Sequence, residues 1–270
     1  VNGPPPGLVA ALVDGPSIVR AVEWHDAIES TNARAAELAG QGADEGQLVL
    51  SDVQTAGRGR QGRGWVAPPG TSLMLSLLLR PRVAVDRVST LPLLVGLAMA
   101  EAVEPFVGRS CVMLKWPNDL LVHGGKAAGV LVEGQGGAQD AEPLAAVVGV
   151  GLNVDWRAVD RPPELAGASS LAEAAGTPID RWRVLAAFIG VLGNRYAAWQ
   201  DAPTAFLSAY EGRCATLNER VRAERAPQGP ALEGRAAGIA ADGALEIIDD
   251  TGVLHIVRAG DVHHIRPAPA

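Results

Sequence analysis

Cysteine is scarce in this 270-residue chain: Cys111 and Cys214 are the only two, and they lie far apart. They offer neither a disulfide framework nor the close spacing of a metal site, and read as reduced, buried, small apolar residues of a reducing compartment. Positive charge is in deficit: 23 Lys and Arg stand against 30 Asp and Glu, a net charge of −7, which argues against a dedicated nucleic-acid binder. Long hydrophobic runs are missing too. The most apolar stretch, 91–103, is interrupted by Pro92, Gly96 and Glu101, whereas a bilayer span needs about 20 apolar residues. The opening V-N-G-P-P-P-G has neither the basic region nor the apolar stretch of a signal peptide. The expectation is a cytoplasmic protein with no membrane segment. What is present, 48% hydrophobic and 20% charged residues, suits a globular chain of one large domain with a small appendage.

Along the chain, residues 1–16 carry Pro and Gly at both ends and read as a short tail. Residues 18–24 have the β-branched character of a strand. Ser30-Thr31-Asn32 precedes an alanine-rich helical run, and a hydroxyl there is a natural N-cap. Strands are expected at 48–53 and 72–80, and an apolar helix at 89–106 with Pro92 in its first turn. A strand at 112–115 enters Trp116-Pro117-Asn118-Asp119. A hairpin over 120–133 turns at Gly124-Gly125, and a buried strand covers 144–154. Helices are expected at 170–175, at 180–200 with Asp180 as cap, and at 203–212. Beyond Cys214, short β-prone runs alternate with D-G, D-D-T-G and A-G turns, the mark of a small antiparallel barrel. The boundaries are 1–213 for the larger domain and 214–270 for the smaller.

Residues 54–65 read Q-T-A-G-R-G-R-Q-G-R-G-W, which no hydrophobic core explains. Glycine lets backbone N–H groups approach a ligand closely, and arginine adds a charged fork matched to phosphate and carboxylate oxygens. Ordering a dozen such residues costs on the order of 10 kcal/mol or more of backbone entropy, with little apolar area to offset it. The loop is therefore expected to be mobile when empty and to order over an anion. G-R-G-R-Q-G matches a dinucleotide fingerprint in form, but R-G-W-V-A-P-P-G after it cannot open the required helix. The P-loop pattern also fails. An RNA-binding RGG segment and a solvated basic loop with no ligand are the weaker readings.

Lys115 ends an apolar strand, where its stem could simply snorkel. Alternatively, the turn at Pro117 aims the Lys115 ammonium and the Asn118 amide to one side. A fixed ammonium beside an arginine-rich loop suits adenylation, in which charge builds on an α-phosphate under attack by a carboxylate. Ser30-Thr31-Asn32 needs no ligand as a plain N-cap. Gly149 and Gly151, inside a strand, suggest that another group approaches the backbone, and Asn153 beyond them could meet a base edge.

Taken in order, S-T-N, Q-T-A-G-R-G-R-Q-G-R-G-W, K-W-P-N-D, K-A-A-G-V-L-V-E and G-V-G-L-N-V resemble the biotin protein ligases, motif by motif from Trp24 to Asn153. The resemblance implies an α+β fold: a central mixed β-sheet flanked by helices, like a class II synthetase, with a small C-terminal SH3-like β-barrel. It implies a two-step reaction, in which biotin and ATP with Mg²⁺ form biotinyl-5′-AMP. The acyl group then passes to one lysine of a biotin carboxyl carrier protein of a biotin-dependent carboxylase. Carried over, Ser30, Thr31, Asn32, Gln54, Gly57, Arg58, Gly59, Arg60, Lys115 and Gly129 would bind biotin, with Lys126 on the pocket wall. Arg60, Arg63, Trp65, Asn118 and Asn153 would bind ATP or the adenylate. Lys115 and Arg60 would be catalytic, with no fixed metal site in the protein. Ala168-Ser169-Ser170-Leu171 departs by one residue from the A-T-S-L that covers adenine in relatives. The short stretch ahead of the core leaves no room for a winged helix, so the expectation is a ligase without DNA binding, monomeric or homodimeric. A lipoate-attaching ligase is the competing enzyme, although its R-R-x-S-G-G-G type loop is absent. A non-catalytic biotin- or nucleotide-binding module is the competitor from another class.

Overall fold

The computed structural model describes residues 3–135, 145–161, 163–225, 231–258 and 260–264. Helix α1 (Pro6–Asp14), where a plain tail was expected, starts with proline in its first turn, where the missing N–H is harmless. Its Leu12 is buried in the main core. Strand β1 (Ala21–Ile28) begins three residues later than expected, and helix α2 (Thr31–Gly40) follows with Ser30 as N-cap. Strands β2 (Gln47–Gln54) and β3 (Ser72–Leu79) bracket the glycine/arginine loop. A single turn, α3 (Val85–Val88), precedes the long α4 (Leu91–Val107). Strands β4 (Val112–Lys115), β5 (Asp119–Val122), β6 (Gly125–Gln135) and β7 (Ala145–Asn153) complete a seven-stranded sheet ordered β1-β2-β3-β7-β6-β5-β4. β1 and β2 run parallel and the other pairs antiparallel, so the sheet is mixed. Helices α5 (Leu171–Ala175), α6 (Arg181–Asp201), capped by Asp180, and α7 (Leu207–Glu211) lead to the C-terminal part. Leu144 and Ile265, expected at strand ends, lie outside the described residues.

The central strands bury both faces, and their alternation shows how the sheet is used. On β3, Leu73, Leu75, Leu77 and Leu79 enter the main core, which α4 and α6 cover. On β7, Ala146, Val148, Val150 and Leu152 do the same. The opposite face divides along its length. Leu78, Ala145, Val147 and Val49 pack under α2 with Ala35 and Ala39. Further along β7, the positions on that face become Gly149 and Gly151, and the layer opens. Residues Val85–Val107 contain an 18-residue stretch apolar enough to cross a bilayer, but 72% of that stretch is buried inside the protein. This is a core helix.

Beyond α7, strands β8 (Arg220–Arg225), β9 (Leu232–Ile239), β10 (Leu245–Ile248), β11 (Leu254–Val257) and β12 (Gly260–His264) form a separate antiparallel sheet ordered β11-β10-β9-β8-β12. Trp116 bolts the two sheets together. It is 2% exposed, its indole Nε1 donates to the Gly243 carbonyl at 2.9 Å, and its backbone N–H donates to Thr216 Oγ1 at 3.0 Å.

Candidate active site

Where the second face of the sheet opens, a cavity of about 170 Å³ is walled by the start of α2, the glycine/arginine loop, β4 to β7 and, from the C-terminal sheet, Val262 and His263. One end is polar and closely tied. Ser30, Thr31 and Asn32 are buried at the helix start. Gln54 Oε1 accepts from the Thr31 backbone N–H at 2.8 Å and faces Thr31 Oγ1 at 3.2 Å. The Ser76 hydroxyl lies 2.5 Å from Asn32 Oδ1 and 2.8 Å from Thr31 Oγ1. Asn32 Nδ2 donates to Glu133 Oε2 at 2.7 Å.

The glycines of β7 explain why these groups fit. A Cβ on Gly149 would collide with the Asn32 amide, and a Cβ on Gly151 would collide with the Trp65 indole. Gly129, the register partner of Gly151 on β6, completes the slot for that ring. The sequence reading that other groups approach these glycines is right, but the groups are the protein's own side chains.

The loop folds back on itself as a small hairpin. Arg58 and Gly64 form an antiparallel bridge. The Trp65 N–H donates to the Gly57 carbonyl at 2.9 Å, and the Gly59 N–H to the Arg63 carbonyl at 2.6 Å. The tip turns through left-handed backbone at Gln61 and Gly62. These bonds, with the indole seated on the glycine slot, offset part of the ordering entropy that the sequence reading left uncompensated. Gly57 serves this closure: a Cβ there would strike the Trp65 carbonyl, and the residue is not on the cavity wall.

The other end of the cavity is cationic. The sequence contains two lysines, Lys115 and Lys126, and both line the cavity with Arg58, Arg60 and Arg63. Lys126 Nζ lies 2.7 Å from Asp119 Oδ1, and 6.0 Å from the centre of the Trp65 ring. Among the described residues, the Lys115 side chain makes no hydrogen bond or ion pair. Arg60 Nη1 donates to Asn118 Oδ1 at 3.3 Å, while Asn118 Nδ2 donates to the Val130 carbonyl at 2.8 Å. Asn118 thus braces Arg60. Burial lowers the Arg60 pKa, against the opposing pull of Asp119 and with a smaller push from Arg63. Guanidinium remains charged at neutral pH all the same.

Of the residues singled out from sequence, Ser30, Thr31, Asn32, Gln54, Arg58, Gly59, Arg60, Arg63, Trp65, Lys115, Asn118, Lys126 and Gly129 meet around this cavity. Asn153 does not. It is 2% exposed at the end of β7, with Nδ2 donating to the Ser169 carbonyl at 3.0 Å and Oδ1 buried without a partner among the described residues. The residues missed are Asp119, Glu133 and His263. The first two stand inside the quoted motifs, whereas His263 arrives from a distant sheet and leaves no local signal. Among the described residues no group of three or more His, Cys, Asp or Glu is placed to hold a metal.

Residues 24–153 match the model of the biotin/lipoate A/B protein ligase family, and residues 216–264 match the biotin protein ligase C terminal domain. The bifunctional ligase/repressor BirA of Bacillus subtilis is 35% identical over 87% of this chain and 72% of its own length. The biotin–[acetyl-CoA-carboxylase] ligase of Mycobacterium tuberculosis is 37% identical over 88% of this chain and 86% of its own. Among solved structures, the biotin protein ligase from Aquifex aeolicus in complex with biotin and ATP superposes with a TM-score of 0.77. It is 28% identical and covers 92% of this chain and 100% of that one. The chain belongs to the biotin protein ligases.

Proposed function

We propose that, as a member of that family, the chain activates biotin with ATP and transfers the biotinyl group to a lysine of a biotin carboxyl carrier protein. The observation that carries this reading is one cavity with a tied polar end and a cationic end holding both lysines of the chain. In the first step a biotin carboxylate oxygen attacks the α-phosphorus. The bond to the bridging oxygen breaks, and pyrophosphate leaves. In the second, a neutral carrier lysine amine attacks the acyl carbon, the C–O bond to AMP breaks, and the surplus proton leaves the new amide.

The residue roles rest on placement and chemistry. We assign the ring end of biotin to Ser30, Thr31, Asn32 and Gln54, where donors and acceptors are already oriented. The carboxylate and the α-phosphate belong beside Lys115, whose ammonium is free to meet the charge that builds between them. Arg58, Arg60 and Arg63 with the loop N–H groups close over the phosphate and exclude water from the mixed anhydride. Trp65 is assigned to the nucleotide side, as is Asn153 through its unpaired oxygen. Magnesium enters with the nucleotide as part of the substrate. We set the boundary between catalytic and C-terminal domains at 213/214, close to where Leu114 exchanges backbone hydrogen bonds with Arg213 and Ala215. The free cysteines support the cytoplasm as compartment, and the net charge of −7 favours a protein over a nucleic acid as partner.

The test is to incubate the protein with ATP, Mg²⁺ and either biotin or lipoate, following pyrophosphate release and labelling of an apo carrier domain. Biotin-dependent pyrophosphate and a biotinylated carrier are expected. Release with lipoate alone would replace biotin by lipoate as the substrate.

A further inference from the structure

Glu133 is out of place for a site that must attract anions. Its side chain is one-third exposed, and its carboxylate stands behind Asn32, a residue of the cavity wall, without lining the cavity itself. Oε2 accepts from Asn32 Nδ2 at 2.7 Å, while Oε1 lies 3.9 Å from Arg58 Nη1 of the loop. A carboxylate only accepts hydrogen bonds, so whatever amide atom faces it must be the nitrogen. On the other side of the same amide stands the Ser76 hydroxyl, 2.5 Å from Oδ1. Gly149 leaves room for the amide in this one slot.

We propose that Glu133 is a positioning residue for substrate recognition, one that acts through Asn32 and ties it to the loop. Its negative charge forbids the flipped amide, in which Asn32 would turn its carbonyl toward the carboxylate. Asn32 is left with one N–H to offer the cavity, so the site selects a ligand with an acceptor at that point. The same carboxylate attracts Arg58 across 3.9 Å, which tethers the loop to the residue that holds Asn32. A neutral amide at 133 could accept or donate, and both orientations of Asn32 would then be open. This inference rests on the placing of biotin's ring end at Asn32 above.

The experiment measures KM for biotin and kcat for pyrophosphate release in Glu133→Gln, Asn32→Ala and the double variant, with thermal melting of each. Glu133→Gln keeps the side-chain shape. It should raise the biotin KM about ten-fold, the scale for a hydrogen bond to a charged group, with kcat at saturating biotin changed less. In the Asn32→Ala background the same substitution should change KM by less than about two-fold, because its target is gone. Glu133→Asp, which restores the charge, should recover part of the loss. If Asn32→Ala alone leaves the biotin KM at its original value, the placement of biotin fails. If Asn32→Ala raises KM but Glu133→Gln has no effect, or adds its full effect to the double variant, the positioning role fails while that placement stands.

Discussion

The two ends of the cavity are built on opposite principles. At the polar end nearly every group already has a partner: Gln54 on Thr31, Ser76 between Thr31 and Asn32, Glu133 on Asn32. At the cationic end Lys115 has none among the described residues, and Asn118 Oδ1 accepts a hydrogen bond from Arg60. Satisfied donors and acceptors in fixed positions select a shape before it arrives. A cation held without an ion-pair partner in a partly desolvated cavity stabilises charge that appears only with substrate, most of all as the reaction proceeds. Under the proposed function, selection would reside at one end and rate at the other.

Substitutions can break this contrast, and their effects should descend in size. Lys115→Ala removes a cavity cation that makes no hydrogen bond or ion pair among the described residues, and should lower the rate of adenylate formation about 100- to 1,000-fold with little change in melting temperature. Single-turnover pyrophosphate release checks it, and a rate near the original would remove Lys115 from the chemistry. Arg60→Gly should speed loss of the adenylate about 10- to 100-fold, measured by filter retention of labelled intermediate. It should leave the biotin KM far less affected. Gly149→Ala pushes Asn32 from its slot and should raise the biotin KM about ten-fold, the reverse pattern from Lys115→Ala. Gly151→Ala displaces the Trp65 indole instead and should weaken nucleotide binding by about three-fold, the scale of one aromatic contact, as titrated by intrinsic fluorescence. The exposed Arg220–Asp250 pair of the C-terminal sheet lies at neither end, and Arg220→Ala should leave both constants unchanged in steady-state assays.

The sequence made legible those parts of the fold whose causes are local. Asp180 and Ser30 cap the helices they were expected to cap, and the turns at Gly124, Gly243 and Gly252 carry the positive φ that glycine permits. Helix α1 was hidden because three prolines stand at its start, Pro4 and Pro5 ahead of it and Pro6 as its first residue, although proline there is compatible with a helix. In the site, the motif residues were legible as a set but not in their pairings. Gly57 reads as a ligand-facing glycine, yet it serves to let two loop backbones meet. Asn118 reads as a nucleotide contact and turns out to brace Arg60. Glu133 stands 101 residues from Asn32, and no local pattern announces a hydrogen bond across that separation.

The confinement of both lysines to the cavity has a practical side. Outside the cavity the chain has arginines but no lysine, and guanidinium does not react with the acylating agents that modify amines at neutral pH. An amine-selective reagent should therefore find its lysine targets only inside the site, and protection by bound substrate would read occupancy directly. The same surface offers no lysine to an activated acyl group that escapes, so the chain carries few places where its own product could mark it.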